Sequence, residues 1–85
     1  MSYSVYILRS LKNGSYYKGH TADLMRRLDE HNNGINLSTA RYQPWELVWH
    51  TRVETKQEAI ILERKLKNIT SRVRLEQFIT KHSMN

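Results

Sequence analysis

The sequence predicts an α+β domain: a small three-stranded antiparallel sheet flanked by about three helices, in the order β-β-α-β-α-α. Three observations predict it. Two aromatic and β-branched runs, from Tyr3 to Arg9 and from Tyr16 to Lys18, flank the turn pair Asn13-Gly14, which reads as a hairpin. Thr55-Lys56-Gln57-Glu58 matches a capping box, a sharp helix start. Apolar residues recur at helical spacing at Leu24 and Leu28, and a second apolar set occupies Val73, Leu75, Phe78 and Ile79.

Taken in order, the first strand ends in the turn Lys12-Asn13-Gly14-Ser15, where Asn-Gly favours positive φ and a tight reversal. Tyr16-Tyr17-Lys18 returns antiparallel. The first helix starts between Thr21 and Asp23, each able to cap free N–H groups, and stops at Asn33-Gly34. Ile35 to Pro44 reads as a loop. Trp45 to Val53 reads as the third strand, with Leu47, Trp49 and Val53 on one face and Val48 and His50 on the other. The capped helix runs to about Asn68, and Ser71 caps the last one. No repeat, linker or low-complexity stretch interrupts residues 1–85, which form one domain. A chain of this size buries only about 60% of its unfolded surface, so its core is small.

Composition narrows the chemistry. With no cysteine, a disulfide framework, a Cys-ligated zinc site and a thiol nucleophile are excluded. No apolar run approaches the roughly 20 residues of a bilayer span, and the N-terminal residues carry no secretory pattern, so a cytoplasmic protein without membrane attachment is the expectation. The formal net charge is +6, and six bases against one acid after residue 63 supply +5 of it. Such asymmetry suits a polyanionic partner. It equally suits a solvated helical surface.

Several residues could carry chemistry. Pairing of the first two strands brings Tyr6 and Tyr17 to one face, as a site or as a cross-strand aromatic pair. Arg27 and His31, four apart, share a helix face and could clamp a phosphate or form ordinary surface. Glu63 falls about 40° from Ala59 around its helix, on the flank of the apolar stripe, among Arg64, Lys65 and Lys67. It could hold a hard cation such as Mg²⁺ or pair with one of those bases. Gly19 would let the backbone approach the first helix or a ligand closely. Trp45 and Trp49 read as packing.

The order of these elements is more specific than any one of them. Val5-Tyr6-Ile7-Leu8, Tyr17-Lys18-Gly19-His20-Thr21, Leu24-Met25-Arg26-Arg27-Leu28 with Glu30-His31-Asn32, and Glu63-Arg64-Lys65-Leu66-Lys67 together resemble the GIY-YIG endonuclease domain. The likeness is to the small stand-alone (URI-type) members related to the N-terminal nuclease domain of the excision-repair subunit UvrC, and it spans about Tyr3 to Ile79. The resemblance implies that Tyr6 and Tyr17 stand near the attacking water, one as general base. It implies further that Gly19 closes the second motif, that Arg27 neutralises the scissile phosphate, that His31 assists at the phosphate, and that Glu63 holds one Mg²⁺ or Mn²⁺. Lys18, Gly19, His20, Arg26 and Lys67 would then contact nucleic acid. A phenol with a pKa near 10 is a poor base at neutral pH, so a depressed tyrosine pKa, through Arg27, His20 or the metal, is a further expectation.

The chain departs from the pattern with Val5 where the motif name has glycine, Lys18 in place of isoleucine, and His20 where the repair subunit tends to carry lysine. Its 85 residues are all nuclease module, so binding to DNA, branched or single-stranded, or to RNA is expected to be weak and salt-sensitive unless a protein partner supplies targeting. Two other classes compete: a nucleic-acid-binding module of the same fold with negligible turnover, and a protein-interaction domain with basic helices.

Overall fold

The computed structural model describes residues 2–82. Its elements are β1 (Tyr3–Ser10), β2 (Tyr16–Thr21), α1 (Leu24–Asn32), α2 (Leu37–Ala40), β3 (Trp45–Val53), α3 (Lys56–Lys67) and α4 (Arg72–Lys81). The sheet order is β2-β1-β3, antiparallel throughout, so β1 is central and β2 is an edge. Side chains of β1 alternate between two cores. Val5 and Ile7 pack with Ala59, Leu66 and Leu75 under α3 and α4. Tyr6 and Leu8 pack with Trp45, Tyr17, Leu24 and Leu28 on the side of α1 and α2.

The helix starts are where the sequence puts them. Asp23, Thr55 and Ser71 are N-caps, accepting from the backbone N–H groups of Arg26, Glu58 and Arg74. The Thr55 hydroxyl also donates to Glu58 Oε1 at 3.0 Å, tying the two ends of the capping box together.

Four expectations change. The hairpin is wider than a two-residue turn: Ser10 N–H donates to Ser15 O at 2.8 Å, and Gly14 alone takes positive φ, at 78°. The expected loop contains the one-turn helix α2, capped by the Asn36 side chain, so four helices flank the sheet. The strict alternation of β3 fails at a bulge opposite Ile7 and Leu8. Trp49 pairs with Ile7 and Leu47 with Leu8, which leaves Val48 unpaired. Leu47 therefore joins the Tyr6–Leu8 core, while Val48 packs with Trp49 on the other side. Finally, Val73 is 63% exposed, and α4 packs through Leu75, Phe78 and Ile79 instead.

Candidate active site

The edge strand β2 builds the site. Tyr17 pairs with Leu8 and Gly19 with Tyr6, so alternation sends Tyr17 toward Tyr6 on the α1 side, their ring centroids 6.3 Å apart. Lys18 and His20 point the opposite way, toward α3. Gly19 sits directly against Tyr6: a Cβ there would lie 2.7 Å from the Tyr6 hydroxyl. The close approach the glycine permits is thus to the Tyr6 ring, not to the first helix. Gly19 is itself buried beneath the two tyrosines, so the expected contact of its backbone with nucleic acid gives way to packing.

On the α1 side, one helical turn presents Arg27, Glu30 and His31. Arg27 Nη1 donates to Glu30 Oε1 at 2.9 Å, and its positive charge acts on the Tyr6 phenol. Arg26 pairs with Glu30 at 3.4 Å but is largely exposed. His31 has no exposed surface. Its Nε2 is 3.2 Å from the Tyr6 hydroxyl and its Nδ1 2.8 Å from Thr39 Oγ1 on α2, while the Tyr17 ring packs against it, tilted by 59° with centroids 4.8 Å apart. The expectation that His31 meets a phosphate gives way to a position behind Tyr6. Asn32 bonds both backbone groups of Trp45, and the Trp45 indole N–H donates to Thr39 O. These bonds fasten α1, α2 and β3 around the imidazole.

On the α3 side, Glu63 Oε1 is 2.8 Å from His20 Nδ1 and Glu63 Oε2 is 3.0 Å from Lys67 Nζ. Burial alone would raise the Glu63 pKa, but hydrogen bonds from Lys67 and His20 outweigh it and hold the carboxyl below its usual range. An ion pair with Lys67 is realised, and the charge of Glu63 reaches as far as Tyr6. His20, Arg26, Arg27 and Glu30 line an open cleft of about 330 Å³ at this end of β2. A larger cleft of about 540 Å³, between Ser4, Met25, His50 and Arg52, holds none of the sequence-predicted residues.

Two expectations are corrected here. Lys18 does not face a ligand: alternation turns it under α3, where Nζ donates to Ile69 O at 3.0 Å. The Tyr6 phenol is not acidified. Burial pushes its pKa up to about 12, against the smaller opposing pull of Arg27. Thr39 and Glu30, which complete the contacts of His31 and Arg27, escape the sequence reading. The Arg27–Glu30 spacing of three is a legible helix pair, whereas nothing in Ser38-Thr39 marks a partner for a histidine.

The arrangement thus gathers two phenols, a guanidinium and an imidazole on one face of the sheet and an ionised carboxylate with a second imidazole on the other. Known proteins are similar to this chain over most of its length. The GIY-YIG catalytic domain matches residues 2–78. A UPF0213 protein of Halalkalibacterium halodurans is 36% identical over 81 residues, covering 94% of this chain and 84% of its own. One from Staphylococcus saprophyticus is 32% identical over 73 residues, covering 85% and 88%. The solution NMR structure of a UPF0213 protein from Bacillus halodurans superposes with a TM-score of 0.62 at 34% identity, covering 99% of this chain and 88% of that one.

Proposed function

The chain belongs to the GIY-YIG family, and on that premise we propose that it is a divalent-metal-dependent endonuclease hydrolysing DNA phosphodiester bonds, in repair or recombination. The observation that carries this reading is the open cleft lined by His20 and Arg27, with Glu63 bonded to His20 and Tyr6 packed against Gly19 of the same strand. Hydrolysis of a phosphodiester needs an in-line water and neutralisation of charge on the phosphoryl and leaving oxygens. Arg27 supplies a fixed positive charge with paired donors suited to phosphate. Tyr6 and Tyr17 are the hydroxyls available to orient and deprotonate the water.

Glu63 is the residue that would hold the metal. Among the described residues no cluster of three or more His, Asp or Glu converges. One ionised carboxylate fits Mg²⁺ or Mn²⁺ bound mainly through waters and substrate phosphate, and the depressed pKa keeps Glu63 ionised at neutral pH. When bound, such an ion supplies Lewis-acid stabilisation of the developing charge. His20 orients the carboxylate from Oε1. Lys67, largely exposed at the other oxygen, can release it and turn to a backbone phosphate. Arg26, largely exposed, flanks the path of the strand. The protein would act in the cytoplasm, with targeting supplied by a protein partner.

The test is cleavage of nicked, branched and single-stranded DNA, with an RNA arm, in Mg²⁺ or Mn²⁺, beside Glu63→Ala. We expect the variant to lose a factor of about 10² to 10³. Equal and undetectable cleavage by both proteins would leave a binding module of the same fold.

A further inference from the structure

The bulge in β3 decides what the larger cleft contains. Without the unpaired Val48, pairing continued from Leu47 and Leu8 would set Trp49 and Thr51 on the Tyr6 face and turn His50 and Arg52 toward α3. With it, His50 pairs with Tyr6 and Arg52 with Ser4, so Ser4, His50 and Arg52 share the face that carries Tyr6. α1 packs over Tyr6 and Leu8 through Leu24 and Leu28. Beyond Tyr6, toward Ser4, the same face opens into the cleft of about 540 Å³, with Ser4, His50 and Arg52 on the sheet side and Leu24 and Met25 on the helix side. Arg52 is exposed and has no acid at ion-pair distance among the described residues. The one acid of the lining, Asp23, is engaged in the N-cap of α1, where Oδ1 accepts from the Arg26 N–H at 3.2 Å and the helix end offsets its charge. This cleft adjoins the one at Arg27, since Ala22 and Asp23 line both. Thr21 of the smaller cleft, Ser4 and Arg52 form one row across the sheet, so two strand spacings, about 10 Å, separate Thr21 from Arg52.

We propose that the larger cleft is a flanking-phosphate subsite: Arg52, with Ser4 and His50 beside it, binds a backbone phosphate of the strand whose scissile phosphate lies at Arg27. The inference rests on the nuclease reading above and gives the bound strand a direction. From the cleft at Arg27 the strand passes over Ala22 and Asp23 and crosses the open end of the sheet toward β3. At 3.4 Å of axial rise per nucleotide, 10 Å corresponds to about three nucleotides on one side of the cut. A guanidinium suits this seat because it stays charged at any working pH and presents paired donors to two phosphate oxygens. The Ser4 hydroxyl and an imidazole N–H of His50 supply further donors. Such a contact carries no base identity, so it sets where the strand lies and not which sequence is cut. A strand that ends less than about three nucleotides from the cut on that side forfeits the contact.

The experiment first measures binding of a nicked duplex by fluorescence anisotropy against salt, without divalent ions, for wild type, Arg52→Gln and Arg52→Lys. We expect Arg52→Gln to weaken binding about three- to fivefold and to make the slope of log affinity against log salt shallower by about 0.9. Arg52→Lys keeps the charge and should keep the slope. Next, in Mg²⁺ and at DNA concentrations below saturation, the phosphates around a mapped cut are replaced one at a time by uncharged methylphosphonate. In wild type one replacement about three nucleotides from the cut, on one side only, should slow cleavage by a similar factor, and Arg52→Gln should be indifferent to that same replacement. If Arg52→Gln keeps the wild-type slope, or responds to every replacement that slows wild type, the subsite is overturned and the nuclease reading stands. A wild type that binds DNA but cleaves with no divalent ion overturns the nuclease reading and the flanking assignment with it, while the slope still reports whether Arg52 meets a phosphate.

Discussion

At the scale of single residues, the decisive quantity is where a proton sits on Tyr6. Desolvation raises the pKa of a buried phenol because the phenolate loses its water, and here that outweighs a neighbouring guanidinium. The resemblance makes the opposite expectation natural, since it implies Arg27, His20 and a metal near a tyrosine and says nothing of burial. The position of Tyr6 in the middle of the first strand was legible; that this strand is the central one was not. That β1 would be covered on both faces was not, because the cover on one face comes partly from a four-residue helix. The sign for stability follows. A group whose folded pKa lies above its unfolded value near 10 stabilises the fold fully below pH 10 and loses that contribution as pH rises to about 12. A tyrosine absorbance titration should therefore show one phenol ionising about two units later than an ordinary tyrosine, and Tyr6→Phe should remove that last step. A wild-type curve complete by about pH 11.5 would contradict the assignment.

At the scale of elements, period-2 and period-3.6 patterns located every strand and the three long helices, because those elements are long enough to repeat their pattern. α2 has four residues and no periodicity to read, and the β3 bulge breaks alternation in a way that composition does not mark. Lys18 shows the same limit: its motif position pointed to a ligand, while register with Ile7 turns it under α3. α3 is the better-read element. Lys56, Ile60, Glu63 and Lys67 recur at intervals of four, three and four along one stripe, which lies beside the buried Ala59–Leu66 stripe. Lys67 places a positive charge 3.0 Å from the carboxylate oxygen that a divalent cation would need. Lys67→Met should therefore bind Mn²⁺ more tightly in the absence of DNA, by roughly three- to tenfold for a partly exposed pair, read by calorimetry or by the loss of free Mn²⁺ resonance. Unchanged or weaker binding would mean that the cation does not compete with Lys67 for Glu63.

For the whole molecule, the question is which surface carries the net charge of +6 to a polyanion. Two faces compete. One is the site edge, with Arg26 and Arg27 on α1 and Lys56 and Lys67 on α3. The other is the outer side of α4, where Arg74 and Lys81 have no acid at ion-pair distance among the described residues. Arg72 belongs to neither, since it is committed to Glu76, to Gly14 O and to the face of the Tyr16 ring. Each phosphate neutralised adds about −0.9 to the slope of log affinity against log salt. Four contacts along the site edge would thus weaken duplex binding about 150-fold between 50 and 200 mM salt. Without divalent ions, so that Glu63 plays no part, Lys56→Gln combined with Lys67→Gln should make that slope shallower by about two. Arg74→Gln combined with Lys81→Gln should leave it unchanged. The reverse pattern would move the nucleic acid to the helical back of the molecule, away from Tyr6 and Arg27, and no measurable binding at low salt would leave the basic helices to a protein partner. The double comparison is sharper than any single affinity, because the slope counts released counterions whatever sequence or structure the duplex has.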